Sequence, residues 1–246
     1  MAGRILIGTS GWSYDHWQGR FYPADLPPAG RLAWYARHFD TVEINNSFYH
    51  LPGEAALDHW RAAVPPGFVF AAKASRFITH MKKLREPQRT LPPFLRRIER
   101  LGEHLGPILF QMPPRWHRNL ARLADFLAAL PPGHRYACEW RDPDWWHGEV
   151  RALMARHGVA WCCFDLAGLR SPRWLTADFA YVRLHGPDGP YQGSYSDAQL
   201  ADWAGQLRQW AARGRDVYCY FDNDAQAHAV RDAQRLRALL AGEGGS

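Results

Sequence analysis

Two kinds of segment alternate regularly along the chain. Short runs rich in aliphatic, β-branched or aromatic residues recur eight times, and each is followed by a stretch with apolar residues at helical spacing. The predicted strands are residues 4–8, 41–45, 68–73, 107–111, 136–140, 159–164, 180–185 and 217–221. Eight strand–helix units in 246 residues, without an internal change in composition, predict an α/β fold of the (β/α)8 TIM-barrel type.

An open, doubly wound sheet is the alternative arrangement of such units. That sheet usually carries a G-x-G-x-x-G pattern after its first strand, and Gly8-Thr9-Ser10-Gly11 does not match it. We therefore predict a single barrel domain over residues 1–241. The Gly-rich residues 242–246 are predicted to form a flexible C-terminal tail.

Hydropathy and cysteine usage indicate a cytoplasmic protein. The sequence has no apolar run near the ~18 residues that a membrane span needs, and its first residues contain no signal-peptide core. Cys138, Cys162, Cys163 and Cys219 all lie in predicted strands, and none forms a C-x-x-C pair. We expect them to be buried and reduced, with no membrane contact and no zinc site.

The positive charge of the chain is concentrated in one region. The formal net charge is +6, yet residues 73–122 alone hold twelve Lys and Arg against three Glu, a local +9. Such an asymmetry is typical of proteins with an anionic partner, although part of it fits a solvated helix face.

Polar side chains stand at or just after the ends of seven of the eight predicted strands. Because parallel strands of a barrel end at the same face, we expect these side chains to meet at the barrel mouth. The catalytic candidates among them are Glu43, Lys73 and Glu139, and the ligand-binding candidates are Asn45, Gln111, Arg141, Asp165, Arg183, His185 and Asn223.

Three interpretations of these polar residues stay open. Glu43, Lys73, Glu139 and Arg183 could form a buried ion-pair lattice that stabilises the barrel. Glu43 and Glu139 could instead act as an acid/base pair, as in glycoside cleavage, with Lys73 kept charged by a neighbouring Glu. The third interpretation is a site that binds a polar ligand, which we prefer because clusters of this kind concentrate at functional sites.

Metal binding is not expected at this face. Carboxylates and His185 could supply ligands, but Lys73, Arg141 and Arg183 compete for the same carboxylates. We predict neither a metal nor another cofactor.

The predicted loops add aromatic and basic residues. Trp12 and Tyr14 follow the first strand and Tyr49 follows the second, where they could stack on a ligand or pack over helix ends. The loop 74–90 carries Arg76, Lys82, Lys83, Arg85 and Arg89 against a single Glu, interleaved with apolar residues. This pattern suits a phosphate backbone, and equally a solvated surface loop.

Ordered motifs across the chain are similar to those of one family. They are GTSGWSY, FYP, TVEINNSFYHLP, FVFAAKASRFITHMKKL, QMPP, EWRDPDWW, YVRLHG and YCYFDND. Together, over residues 5–224, they resemble the "domain of unknown function 72" family, also called YecE-like. The resemblance implies a (β/α)8 barrel and, through its likeness to endonuclease IV-like barrels, nucleic-acid binding.

The family's polar motif positions coincide with the mouth residues above, and the resemblance adds His80 to the nucleic-acid-binding candidates. This sequence differs from the family pattern at residue 222, where it has Asp and the pattern leads us to expect Asn. The His- and carboxylate-rich metal cluster of endonuclease IV-like enzymes is not reproduced.

We therefore predict a barrel whose mouth binds a polar ligand and whose basic rim accepts nucleic acid or an anionic small molecule. The alternative function is a metal-independent hydrolase or lyase that acts on a sugar-like molecule through Glu43 and Glu139.

Overall fold

A computed structural model describes residues 1–242. Residues 243–246 of the predicted tail lie outside the described residues, and Gly242 is the last residue of a helix. The strands are β1 Ile5–Thr9, β2 Thr41–Ile44, β3 Val69–Lys73, β4 Leu105–Gln111, β5 Tyr136–Glu139, β6 Ala160–Leu166, β7 Leu169–Arg170, β8 Phe179–Leu184 and β9 Asp216–Phe221. The predicted TIM-barrel-like α/β fold is confirmed, and every predicted strand overlaps an observed one.

The α-helices follow the strands in the expected alternation. They are α1 Arg31–Tyr35, α2 Glu54–Ala62, α3 Pro87–Ile98, α4 Leu120–Ala128, α5 Gly148–Arg156, α6 Asp197–Ala212 and α7 His228–Gly242. Side chains fix several of their starts: Asn119 accepts from the Arg122 N–H at α4, and Ser196 and Gln199 form a capping box at α6. Within residues 1–242, no helix is both long and apolar enough to cross a membrane.

The described chain divides into two compact units. The first unit comprises Met1–Val42, Cys163–Arg170 and residues 179–242, and the second comprises Glu43–Cys162 and Ser171–Asp178. In the sequence this division falls within β2 and β6. The single-domain organisation stays a prediction.

In the first unit, three parallel strands bring their ends to a common level. β1 pairs with β9 up to Thr9↔Phe221, and β8 pairs with β9 up to Leu184↔Phe221. Residues that directly follow these strands therefore lie side by side. Gly8 is required in β1, because a Cβ there would overlap the carbonyl oxygen of Thr41.

β7 was not predicted from the sequence. It is a two-residue strand that turns back antiparallel on β6, with Asp165 opposite Arg170. Ala167 and Gly168 both have positive φ in the connecting turn, as a tight two-residue hairpin requires.

In the second unit, β3, β4 and β5 run parallel in sequence order. Lys73 pairs with Leu109 of β4, and Gln111 at the end of β4 pairs with Glu139 of β5. Apolar packing behind the strand ends includes Trp140 and Trp145, which stack with ring centroids 3.9 Å apart.

Candidate functional site

Lys73, the last residue of β3, lies against an aromatic ring of the second unit. Only 6% of Lys73 is exposed, and its Nζ lies 4.2 Å from the centroid of the Phe48 ring. Phe48 belongs to the short 3-10 turn Asn46–Phe48 after β2. Ser47 fixes this turn by donating its hydroxyl to the Lys73 carbonyl oxygen at 2.6 Å.

His80 reaches the same ring from the loop after β3. A π-helical turn, Phe77–Met81, places the half-buried imidazole edge-on to Phe48, with centroids 4.9 Å apart. The Nδ1 atom of His80 lies 2.9 Å from the Thr79 hydroxyl. Turns of this kind are frequent at functional sites because they re-aim a side chain.

The surroundings of His80 favour its neutral form. Burial lowers its pKa to about 4, and the positive charges of Lys73, Arg141 and Arg76 act in the same direction. The Glu139 carboxylate opposes them. At neutral pH the imidazole is therefore an uncharged hydrogen-bonding group among cations.

Glu139, at the end of β5, is fully buried and ion-paired. Its Oε1 accepts from Arg141 Nε at 2.7 Å, and Cys162 Sγ lies 3.8 Å from its other oxygen. This charge-assisted bond favours the ionised carboxylate. We call Phe48, Lys73, His80, Glu139 and Arg141 the Lys73 cluster.

The other candidates of the second unit have separate environments. Glu43 is fully buried, and Asn45 is half-buried with an Oδ1 atom that no donor among residues 1–242 reaches. Gln111 donates its Nε2 to the Met112 carbonyl oxygen at 2.7 Å. Tyr49 is 62% exposed and packs edge-on against Phe48.

The basic loop after β3 has an unusual backbone. Lys83, Leu84 and Glu86 have left-handed φ values of 49°, 65° and 52°. Lys82 is ion-paired with Glu86, whereas Arg76 and Arg85 are exposed.

A groove of about 630 Å³ opens beside this loop. It is lined by Met81, Lys82, Leu84, Arg85, Glu86, Pro87, Asn119, Arg122 and Asp125. Phe77 and Met81 expose 44% and 64% of their surface next to these charges. Exposed apolar and cationic side chains thus lie close together on this loop.

In the first unit, Arg183 and His185 share one carboxylate. Arg183 Nη2 donates to Asp222 Oδ2 at 3.0 Å and to Ser10 Oγ at 3.4 Å. His185 Nδ1 lies 3.0 Å from the same Asp222 oxygen, and its Nε2 lies 3.3 Å from Arg183 Nη1. Because Arg183 can only donate, His185 must accept at Nε2 and donate at Nδ1. We call Ser10, Arg183, His185 and Asp222 the Arg183 cluster.

Asp222 was not among the predicted site residues. Its position directly after β9, at a strand end, could have identified it as a candidate. The carboxylate that departs from the family pattern is the common acceptor of Arg183 and His185.

Asp165, near the end of β6 and opposite Arg170 of β7, carries a buried carboxyl group. Arg170 Nε donates to its Oδ2 at 3.0 Å. Burial raises the pKa of Asp165, while Arg170 and the Gly168 N–H oppose that shift.

Asn223 hydrogen-bonds to a loop and to α7 of the first unit. Its Nδ2 donates to the Gly193 carbonyl oxygen and to Asp232 Oδ2, both at 2.8 Å. Asp232, fully buried on α7, also accepts from Ser194 and the Tyr195 N–H. These bonds fix the orientation of the Asn223 side chain.

Trp12 and Tyr14 pack within the loop that follows β1. Trp12 is buried, and its carbonyl oxygen accepts from the Tyr22 hydroxyl. Tyr14 donates its hydroxyl to the Ser10 carbonyl oxygen at 2.6 Å, and its ring lies 5.1 Å from that of Trp17.

Asp224 is a second residue that sequence reasoning did not select for a site. Trp17 Nε1 donates to its Oδ1 at 2.7 Å, and His16 Nε2 lies 2.8 Å from its Oδ2. Burial raises the pKa of Asp224 to about 6, and the negative charge of Asp222 adds to that shift.

The candidates thus fall into a Lys73 cluster and basic loop in the second unit and an Arg183 cluster in the first. Among residues 1–242, no three or more His, Cys, Asp or Glu side chains are grouped so as to hold a metal ion.

Comparisons with known proteins agree with this fold and with the motif order. The sequence matches the family model described as "Protein of unknown function DUF72" over residues 6–245. It is similar to the UPF0759 protein YunF of Bacillus subtilis (strain 168), with 24% identity over 96% of this chain and 94% of that protein. It is also similar to the UPF0759 protein YecE of Escherichia coli (strain K12), with 32% identity over 62% of this chain and 54% of that protein.

Solved structures extend the comparison to three dimensions. The crystal structure of a DUF72 family protein from Thermotoga maritima MSB8 matches with a TM-score of 0.89 and 26% identity, covering 97% of this chain and 99% of that one. One from Enterococcus faecalis V583 matches with a TM-score of 0.82 and 19% identity, covering 96% of this chain and 95% of that one, which supports the fold alone. Because the family model matches residues 6–245 of this chain, the chain belongs to the DUF72 family.

Proposed function

We propose that this protein binds single-stranded nucleic acid through the basic loop after β3. The observation that carries the proposal is the groove of about 630 Å³ in which Lys82, Arg85 and Arg122 lie beside the exposed Met81. Cations that line a groove attract a phosphate backbone, and each neutralised phosphate releases counterions.

The balance of charge in this groove favours an anionic ligand. Glu86 is engaged by Lys82 and also lies 3.9 Å from Arg89. Its negative charge is therefore largely offset by its own neighbours. Arg85 and Arg122 remain to face a ligand, against Asp125.

The exposed aromatic rings of this unit favour binding of single-stranded over double-stranded nucleic acid. The Phe77 ring is exposed on the same loop, with Lys82 Nζ 5.7 Å from its centroid, and Tyr49 exposes its ring in the same unit. Unpaired bases can stack on such rings, whereas the bases of a duplex are already stacked on each other.

The Lys73 cluster supports binding of a phosphate group. Lys73 and Arg141 supply positive charge there, and the neutral His80 can donate or accept a hydrogen bond. Glu139 is ion-paired with Arg141, an arrangement that does not favour proton donation by Glu139 in the alternative hydrolase. The four cysteines are buried and form no disulfide within residues 1–242, which fits the cytoplasmic location that we propose for the protein.

Fluorescence anisotropy with a labelled oligo(dT) 20-mer at several salt concentrations tests the proposal. We expect log K to fall with log salt by about 0.7 for each phosphate contact. The double variant Lys82→Ala/Lys83→Ala should bind more weakly and with a shallower slope. Arg151→Ala/Arg156→Ala is the matched control, since it removes two exposed charges from α5 of the same unit. Affinity independent of salt, or equal losses in both double variants, would overturn the proposal.

A further inference from the structure

One carboxylate oxygen of Asp165 is buried without a hydrogen-bond donor. Only 1% of Asp165 is exposed, and Arg170 engages Oδ2. The Gly168 N–H lies near this carboxyl group and lowers its pKa, but no N–H or O–H group among residues 1–242 meets Oδ1 with hydrogen-bond geometry. Buried polar atoms of folded proteins are nearly always satisfied, so an atom left open in this way indicates a bound water or a ligand group.

Asn223, which follows β9 in the first unit, contains a second buried acceptor that no donor within residues 1–242 reaches. Asn223 is fully buried, and its Nδ2 bonds to Gly193 and Asp232 fix which amide atom is the oxygen. Its Oδ1 atom also meets no donor among the described residues. Two buried acceptors at strand ends of one unit both require donors.

An exposed aromatic ring lies next to the Arg183 cluster. Tyr191 is 41% exposed, and its ring centroid lies 5.6 Å from that of His185. Its N–H donates to the His185 carbonyl oxygen at 2.7 Å, and its φ of 65° is left-handed. The backbone thus holds a partly exposed aromatic ring beside a buried polar cluster.

The charged residues of the first unit indicate whether a charged or an uncharged ligand group fits there. Asp165 is ion-paired with Arg170 and Asp222 is ion-paired with Arg183, so these pairs provide no net charge that would favour an anion or a cation. A hydroxyl group is uncharged, donates one hydrogen bond and accepts two. It can therefore satisfy an open carboxylate oxygen while it accepts from a neighbouring guanidinium.

We propose that the strand ends of the first unit bind a polyhydroxylated small molecule, one hydroxyl of which donates to Asp165 Oδ1. Tyr191 covers the apolar face of this ligand. The half-exposed Arg170, on the β6–β7 hairpin, holds Oδ2 and leaves Oδ1 to the ligand. This site is independent of the proposed nucleic-acid binding, because its residues belong to the other unit.

Calorimetry of the full chain with D-ribose, D-glucose and myo-inositol tests the proposal. We expect saturable binding of at least one probe. Asp165→Asn and Asp165→Leu should weaken it about tenfold or more, the equivalent of about 1.4 kcal/mol. Lys82→Ala/Lys83→Ala, whose residues belong to the other unit, should stay within about threefold of wild type.

Carbon-13 NMR of the wild-type Asp165 carboxyl group gives a second measurement that needs no variant. A bound hydroxyl that donates to Oδ1 stabilises the carboxylate, so the probe should lower the pKa of Asp165. The proposal is overturned if no probe saturates, which would leave a water molecule at Oδ1. It is also overturned if binding survives both Asp165 variants, or if only inorganic phosphate or methylammonium binds through Asp165.

Discussion

The guanidinium of Arg183 lies 3.0 Å from the carboxylate of Asp222, measured from Nη2 to Oδ2, and both side chains are buried. His185 shares that oxygen. A buried Arg is tolerated where a carboxylate accepts from it, and removal of one partner leaves an uncompensated charge. Asp222 thus supplies one carboxylate oxygen that both Arg183 and His185 contact.

Substitution of Asp222 tests this arrangement. Asp222→Ala should lower the free energy of unfolding by about 3–5 kcal/mol, because Arg183 and His185 lose their common acceptor. Asp222→Asn should cost less, since the amide oxygen still accepts. The measurement is urea denaturation. Asp197→Ala is the control: its carboxylate is exposed and paired with Arg235, so about 0–1 kcal/mol is expected. Equal losses in the two Ala variants would contradict the buried role of Asp222.

The sequence predicts which polar side chains lie at a strand end, because side chains alternate between the two faces of a strand and parallel strands end at the same face. Arg183 lies on β8 and His185 directly follows that strand, so alternation along the strand predicted that both side chains reach the same strand end. Their acceptor could not be identified in the same way, because the pairing of Asp222 with Arg183 depends on the β8–β9 register. That register is set by packing over a long sequence separation.

Loop residues were harder to interpret for a related reason. Trp12 and Tyr14 are aromatic residues of the kind that stack on a ligand, and their contacts in the structure include Tyr22, Ser10 and Trp17 of the same unit. The π-helical turn that aims His80 at Phe48 has no sequence signature that distinguishes it from an α-helical turn. Local propensity does not encode contacts of this type.

The Glu139–Arg141 ion pair should show energetic coupling. Glu139→Gln and Arg141→Gln each leave one member of a buried pair without its partner charge. The double variant should be more stable than the sum of the single losses implies, by about 0.5–3 kcal/mol. Urea denaturation of the four proteins gives this coupling energy, and strictly additive losses would exclude a direct interaction.

His80 should make the protein less stable in mild acid. Its pKa is lowered from 6.5 to about 4 in the folded chain, chiefly by burial. The unfolded chain therefore takes up a proton as the pH falls below about 6.5, while the folded chain does not. The stability that neutral His80 contributes is present above that pH and is lost progressively as the pH falls to 4. Unfolding at pH 7.5 and 5 should differ less in His80→Asn than in wild type, and the His80 proton resonances should not titrate between pH 8 and 5.

A phosphate group bound in the Lys73 cluster should reverse the shift of His80. An adjacent anion stabilises imidazolium, so oligo(dT) should raise the pKa of His80 and take up a proton on binding. The affinity should increase between pH 7.5 and 5.5. His80→Asn should remove this increase and keep the salt dependence of the basic loop. An NMR titration of His80 that is unchanged by saturating oligo(dT) would locate the strand away from the cluster.

Asp224 should have the opposite pH dependence. Its pKa is raised from 3.8 to about 6, with burial as the largest cause, against the opposing bonds from Trp17 and His16. A carboxyl group with a raised pKa favours the folded chain at low pH, and that contribution is lost as the pH rises through about 6. Asp224→Asn keeps an oxygen that accepts from Trp17 and removes the titration. Between pH 5 and 7.5 the melting temperature of wild type should therefore fall relative to that of Asp224→Asn. A parallel pH dependence in the two proteins would mean that the bonds from Trp17 and His16 fully compensate the burial of the Asp224 carboxylate.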